Sequence, residues 1–140
     1  MSDTPTPPVV EFAFPGPLRD SLVAAILSGA KTSTTSTLVE YSIENEPLPV
    51  VGSRQTVVDS DDAGVAVIET TSVEVVPLAS VDLQHALDEG EGYATVAEWR
   101  SAHERYWQGE AMRAWLGDEG FTVDDATLVV LERFRLVAAL

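Results

Sequence analysis

Arg54-Gln55-Thr56-Val57-Val58-Asp59, then Ser60-Asp61-Asp62-Ala63-Gly64, then the β-branched run from Val65 to Val76, is the stretch that decides the fold class. Two runs rich in valine, isoleucine and threonine flank a cluster of short polar residues closed by a glycine. That is the pattern of an antiparallel hairpin, because β-branched side chains pack well on a pleated surface and the polar cluster turns the chain. Downstream, Thr127 to Ala138 places Leu128, Val130, Phe134 and Leu136 at alternate positions and reads as a further strand. Upstream, Val9 to Phe14 reads as a short first strand, preceded by a proline-rich, polar leader over residues 1–8.

The helices lie between these strands. Pro15-Gly16-Pro17 makes a turn, Pro17 suits a first helical position, and Leu18, Leu22 and Ile26 recur at four-residue spacing up to a capping Gly29. Leu38 to Ile43 fits either a short helix or a strand, and Glu44 to Pro49 is an extended connection. Ala79 to Asp88 reads as a short helix, stopped by Glu89-Gly90-Glu91-Gly92, whose two glycines imply a tight backbone path. Thr95 with Glu98 matches a capping box, worth about 1 kcal/mol, and opens a helix expected to reach Leu116. This order lacks the regular alternation of a parallel doubly wound fold. The reading is a single α+β domain over residues 9–140 with a curved, mostly antiparallel sheet.

Composition narrows the function. The 140 residues carry a net charge of −15, with a sequence pI near 4.2, and 45% hydrophobic residues with a mean hydropathy of +0.07 suffice for a real core. Acidic residues are spread along the whole chain, so a long polyanion is repelled at long range and a small or uncharged ligand is favoured. The absence of cysteine excludes a disulfide framework, a thiolate nucleophile and a cysteine zinc site, and no metal or other cofactor is expected. No run approaches the ~20 apolar residues of a membrane span, so a soluble cytoplasmic protein is expected.

One lysine stands among seven arginines, and it lies in Gly29-Ala30-Lys31-Thr32-Ser33-Thr34-Thr35-Ser36-Thr37, a segment otherwise of small residues and hydroxyls. A desolvated lysine can lose its proton, which an arginine does not, so Lys31 is the leading candidate for proton chemistry. Three residues on, Thr34 is a nucleophile if a base accepts its proton; a water activated by a carboxylate serves equally. That carboxylate is Glu91 or Glu89, held in the glycine-bounded loop. Thr32, Ser33, Thr35 and Ser36 would line the ligand. His103, on the aromatic face with Trp99, Tyr106 and Trp107, reads as a packing residue, and Asp59 to Asp62 reads as a turn rather than a calcium loop.

These residues form an ordered series: Gly29-Ala30-Lys31-Thr32-Ser33-Thr34, Glu40-Tyr41, Glu46-Pro47-Leu48-Pro49-x-x-Gly52, Ile68-Glu69-Thr70-Thr71-x-Val73-Glu74, Glu89-Gly90-Glu91-Gly92, Trp99-Arg100-x-x-His103 and Glu132-Arg133-Phe134. The series resembles the ASCH domain, in its longer bacterial form, over about residues 12–137. The resemblance implies a PUA-like fold, a small curved β-barrel with flanking helices. It implies either RNA binding or, as in the related N(4)-acetylcytidine amidohydrolases, hydrolysis of an acylated pyrimidine nucleoside. In those enzymes a lysine, a threonine three residues later and a downstream glutamate act together. Lys31 and Thr34 match that motif, and Glu91 matches if a small gap is allowed, with Glu89 the competing position. The segment Phe14-Pro15-Gly16-Pro17 lacks the aspartate common after the Phe-Gly pair, which implies a difference in specificity. An RNA-binding role would need a cationic patch built from Arg19, Arg54, Arg100, Arg105, Arg133 and Arg135.

Overall fold

The computed structural model describes residues 6–140. In chain order the elements are β1 (Val9–Val10), α1 (Pro17–Ser28), β2 (Ser33–Thr37), α2 (Leu38–Glu44), β3 (Arg54–Val58), β4 (Gly64–Pro77), a 3-10 turn (Leu78–Ser80), α3 (Leu83–Asp88), α4 (Val96–Trp107), α5 (Glu110–Leu116) and β5 (Leu128–Ala139). Among the described residues the strands form one sheet in the order β1-β3-β4-β5-β2. Only the β1–β3 pair is parallel. The expected hairpin is β3–β4, and β4–β5 is its long continuation, with register shifts at Val57/Val58, Val67/Ile68 and Thr70/Ser72 that curve the sheet.

The sheet does not close into a barrel, which corrects the expectation drawn from the resemblance. Its outer strands, β1 and β2, do not pair. The expected first strand over Val9 to Phe14 contributes only Val9–Val10, because Ala13 takes a positive φ of 61° and Gly16 one of 144°, bending the chain into α1. Of the leader, residues 1–5 lie outside the described residues. The Pro7 and Pro8 carbonyls accept hydrogen bonds from the Thr56 hydroxyl at 2.8 Å and the Thr56 N–H at 2.7 Å.

Each face of the sheet carries its own core. On one face Val129 and Leu131 of β5 pack with Leu78, Val81, Ala86, Trp99, Trp107, Met112 and Leu116, so α3, α4 and α5 cover it. On the other, Phe134, Ile68, Ala66 and Val57 pack with Phe12 and with Leu22, Val23 and Ile26 of α1. The odd-to-even switch from Leu131 to Phe134 along β5 is the strand alternation that separates the two faces. The helix expected from Thr95 to Leu116 is two helices. Gly109 interrupts it, since glycine in a helix interior costs about 1 kcal/mol, and the break folds Met112 and Leu116 back onto the core. Leu38 to Glu44 settles as a helix whose Glu40 carboxylate accepts from the Thr37 N–H at 2.7 Å and hydroxyl at 2.8 Å. Among the described residues no helix is long and apolar enough to cross a membrane.

Candidate active site

Gly29 ends α1 in the left-handed region at φ 84°, which carries the chain sharply into β2. The glycine loop after α3 then presses onto this segment. A Cβ on Gly90, which has φ +71°, would lie 2.6 Å from the Ala30 carbonyl atoms, so only glycine permits the approach. The Thr32 N–H donates to the Asp88 carbonyl at 2.7 Å, and the Ser33 hydroxyl donates to the His85 carbonyl at 2.9 Å. The tight backbone path read from the two glycines therefore has a specific partner: the residues around Lys31.

Lys31 is 2% exposed and Glu89 is 2% exposed, and they meet. Lys31 Nζ donates to the Ser33 carbonyl at 2.8 Å and the Glu89 carbonyl at 3.3 Å, and lies 3.5 Å from Glu89 Oε1. The same carboxylate accepts from the Trp99 indole N–H and, at 3.1 Å, from the Thr35 hydroxyl. His103 Nε2 stands 3.3 Å from Oε1, while its Nδ1 faces the Trp99 carbonyl at 2.9 Å. His85 Nε2 is 2.7 Å from the Thr35 hydroxyl. Burial would raise the Glu89 pKa, but the His103 hydrogen bond and the Lys31 charge, with Trp99, hold it at about 2. For His103, burial is outweighed by the hydrogen bond and charge of Glu89, and its pKa rises. Burial lowers that of His85, which keeps its ring neutral.

Glu91 is half-buried beside this network. Glu89, Glu91 and His103 each bring a donor atom within 4.8 Å of the others, the arrangement a divalent cation would use; Lys31 already supplies positive charge to the Glu89 carboxylate. Burial raises the Glu91 pKa, and the neighbouring Glu89 charge adds to the effect against the opposing pull of Lys31. Two carboxyls two residues apart are thus driven in opposite directions. Of the hydroxyls named from sequence, Ser33 and Thr35 face this network, and Thr32 joins it through its backbone. Thr34 and Ser36 alternate to the other face, where Thr34 pairs in register with Glu132 and Ser36 with Val130. His85, Trp99 and His103 were not singled out for this role by sequence. Their only local signals are i,i+4 spacings, His85 to Glu89 and Trp99 to His103, which put each pair on one helical face.

The arginines do not gather into a patch. Arg19 is 1% exposed and donates to the Ala13 and Asp59 carbonyls. Arg54 and Arg135 both grip Glu69, Arg100 bridges Glu104 and Asp125, and Arg133 pairs with Asp88. Arg105 donates to the Ser101 hydroxyl.

An open, curved α+β sheet with a buried lysine–carboxylate network defines the class, and comparison gives the family. The ASCH domain description matches residues 11–138, so the chain belongs to the ASCH domain family, in which RNA-binding and hydrolase roles have been proposed. It is similar to an ASCH domain structure from Lactobacillus crispatus, at 29% identity and TM-score 0.75, over 91% of this chain and 78% of that one. It is also similar to a protein of Enterococcus faecalis, at 30% identity and TM-score 0.72, over 84% and 67% of the two chains. A variant ASCH protein from Zymomonas mobilis shares the fold at 13% identity and TM-score 0.53, over 94% and 73%. No curated protein matches the chain.

Proposed function

We propose that this protein hydrolyses an amide, with an acylated pyrimidine nucleoside of the N(4)-acetylcytidine type as substrate. The observation that carries the reading is the divergence of Glu89 and Glu91 beside the buried Lys31. Groups whose environments push their pKa values apart divide acid–base work between them. Glu89, near 2, is a poor proton acceptor at neutral pH; it is the fixed anion that holds Lys31, His103 and Thr35 in place. Glu91, raised and closer to solvent, carries the proton. Lys31 stabilises the oxyanion as the acyl carbon becomes tetrahedral.

The reaction balances without a further reagent. The attacking oxygen, from water, forms the C–O bond as Glu91 takes its proton. The C–N bond then breaks, Glu91 returns that proton to the departing amine, and cytidine and acetic acid leave, the acid giving its remaining proton to solvent as acetate. Thr35, hydrogen-bonded to Glu89 and close to His85, is the hydroxyl placed to orient the water or to attack in its stead; the motif-derived choice, Thr34, sits across the sheet. Of the six arginines that RNA binding would use, all but Arg105 pair with acidic side chains, which favours hydrolysis as the reading.

The test is loss of N(4)-acetylcytidine absorbance with the purified protein. Wild type should release cytidine, and Glu91→Gln should lower kcat by about 100-fold or more with a native circular dichroism spectrum. Thr35→Val should be slower than Thr34→Val. Wild type with no turnover would remove the substrate, and unchanged rates in Glu91→Gln would remove the role of Glu91.

A further inference from the structure

Helix α4 keeps one face out of both the core and the Glu89 network. Trp99 and Trp107 turn into the core and His103 turns to Glu89, whereas Ala97, Glu98, Ser101, Ala102 and Arg105, together with Tyr93, line a cleft of about 440 Å³. Two alanine methyls and a tyrosine ring give this cleft apolar surface, and a hydroxyl, a carboxylate and a guanidinium give it polar groups. Arg105 is exposed and makes no ion pair among the described residues; its Nη1 donates to the Ser101 hydroxyl at 2.9 Å, within the cleft. In a chain of net charge −15, a guanidinium left without a carboxylate is open to an anion. Glu98 is held in place by accepting from the Ala94 N–H at 2.9 Å, and its carboxylate keeps lone pairs for further donors.

The cleft adjoins the groups assigned to the chemistry. Tyr93 meets His103 edge to face, 6.1 Å between ring centroids, and His103, Glu91 and Glu89 each bring a side-chain atom within 4.8 Å of the others. Burial and the charges of Glu91 and Glu89 push the Tyr93 hydroxyl up to about 12, while Arg105 pulls it down. Tyr93 is therefore within electrostatic reach of both the carboxyls and the guanidinium.

We propose that this cleft holds the sugar and phosphate of the substrate, so that the protein acts on an acylated pyrimidine nucleoside monophosphate rather than on the free nucleoside. The inference rests on the hydrolase reading and names its substrate class. Arg105 offers paired N–H donors to phosphate oxygens, and the Ser101 hydroxyl, which accepts from Arg105, has its own proton to give. Glu98 accepts from the ribose hydroxyls, and the base stacks on Tyr93, beside Glu91. Ala97, Ser101 and Arg105 follow one another at four-residue spacing, so the cleft runs about 12 Å along α4, the length of a nucleotide laid from base to phosphate. Further phosphates would meet the Glu98 carboxylate and the field of an acidic chain, which limits the ligand to one.

The test compares kcat/KM for N(4)-acetylcytidine and its 5′-monophosphate, with calorimetric binding of cytidine and cytidine 5′-monophosphate as a readout independent of turnover. The phosphorylated form should be favoured about tenfold or more in both, the kinetic gain lying in KM. Arg105→Gln should abolish that preference. Arg135→Gln makes the same change in net charge on β5 and should keep it. Equal handling of the two forms, or a preference that survives Arg105→Gln, would overturn the proposal and leave the hydrolase reading standing. Absence of turnover with both substrates would remove the hydrolase reading; tighter, Arg105-dependent binding of the monophosphate would still support the cleft, and its absence would overturn that as well. A cytidine oligoribonucleotide that binds more tightly than the monophosphate would also overturn the proposal, in favour of RNA.

Discussion

Glu89 and Glu132 are both almost fully buried against the same sheet, and their environments make them opposites. Glu89 is ringed by donors: a lysine, an indole N–H, a threonine hydroxyl and a histidine. It stays ionised, near a pKa of 2. Among the described residues no arginine or lysine pairs with Glu132, and burial pushes it up to about 7, against the opposing effect of the nearby Thr70 hydroxyl. Equal burial, then, says nothing about charge. The number and sign of the surrounding dipoles decide whether a buried carboxyl becomes a fixed anion or one that holds its proton up toward neutral pH.

The largest expected effect comes from breaking the first environment. Lys31→Met strands a buried carboxylate and should cost about 3–5 kcal/mol in urea unfolding, with Glu89→Gln added in the double variant recovering much of the loss. A loss below about 1 kcal/mol would mean that Glu89 does not depend on this charge. Gly90→Ala comes next: the positive φ and the contact with Ala30 should cost roughly 2–3 kcal/mol and impair the Glu89 side alone, leaving the carboxyl resonance of Glu132 unshifted by NMR.

The pH dependence sets the two carboxyls in opposition. Glu132, raised from 4.5 in the unfolded chain to about 7 when folded, contributes stability that is full below pH 4.5 and is lost as pH rises toward and through 7. Glu132→Gln should flatten that slope and exceed wild type at pH 8 by roughly 1–3 kcal/mol. Glu89, lowered from 4.5 to about 2, contributes stability present above pH 4.5 and lost as pH falls toward 2, so Glu89→Gln should flatten the acid limb instead. Matching pH profiles for the two variants would dissolve the contrast. The smallest effect belongs to Arg133→Ala, which removes a half-exposed bridge to Asp88 and should cost at most about 1 kcal/mol by the same unfolding measurement.

Much of the scaffold was legible because its signals are local. The β3–β4 hairpin, the four-residue spacing of α1 with its Gly29 cap, and the Thr95 cap of α4 each occupy one short stretch; the Thr95 hydroxyl does accept from the Glu98 N–H at 3.1 Å, while the Glu98 carboxylate turns to the Ala94 N–H at 2.9 Å rather than to Thr95. Lys31 stood out by being the only lysine. The open sheet was not legible, since no local signal tells whether the edge strands β1 and β2 pair with each other. Nor was the company of Glu89. His85 lies 50 residues from Thr35, and Lys31 lies 58 from Glu89, so no window on the sequence contains both members of either contact. Reading His103 as packing captured its stack on Trp99 at 4.3 Å between ring centroids and missed the ring nitrogen turned to Glu89.

Strand β2, Ser33-Thr34-Thr35-Ser36-Thr37, offers a hydroxyl to each side of the sheet at every step and no apolar residue to either. A strand of this kind has no hydrophobic pattern to fix its alignment, and a slip of one residue would exchange Thr34 and Thr35 between the two carboxyls at little cost in burial. Alignment must therefore come from polar contacts: Lys31 pinned to Glu89 before the strand, and within it Ser33 bound to the His85 carbonyl and Thr35 to Glu89. The lysine assigned to the chemistry is by the same token the peg that decides which hydroxyl the chemistry sees. Substitutions at Lys31 should be judged for misalignment of β2 as well as for lost charge.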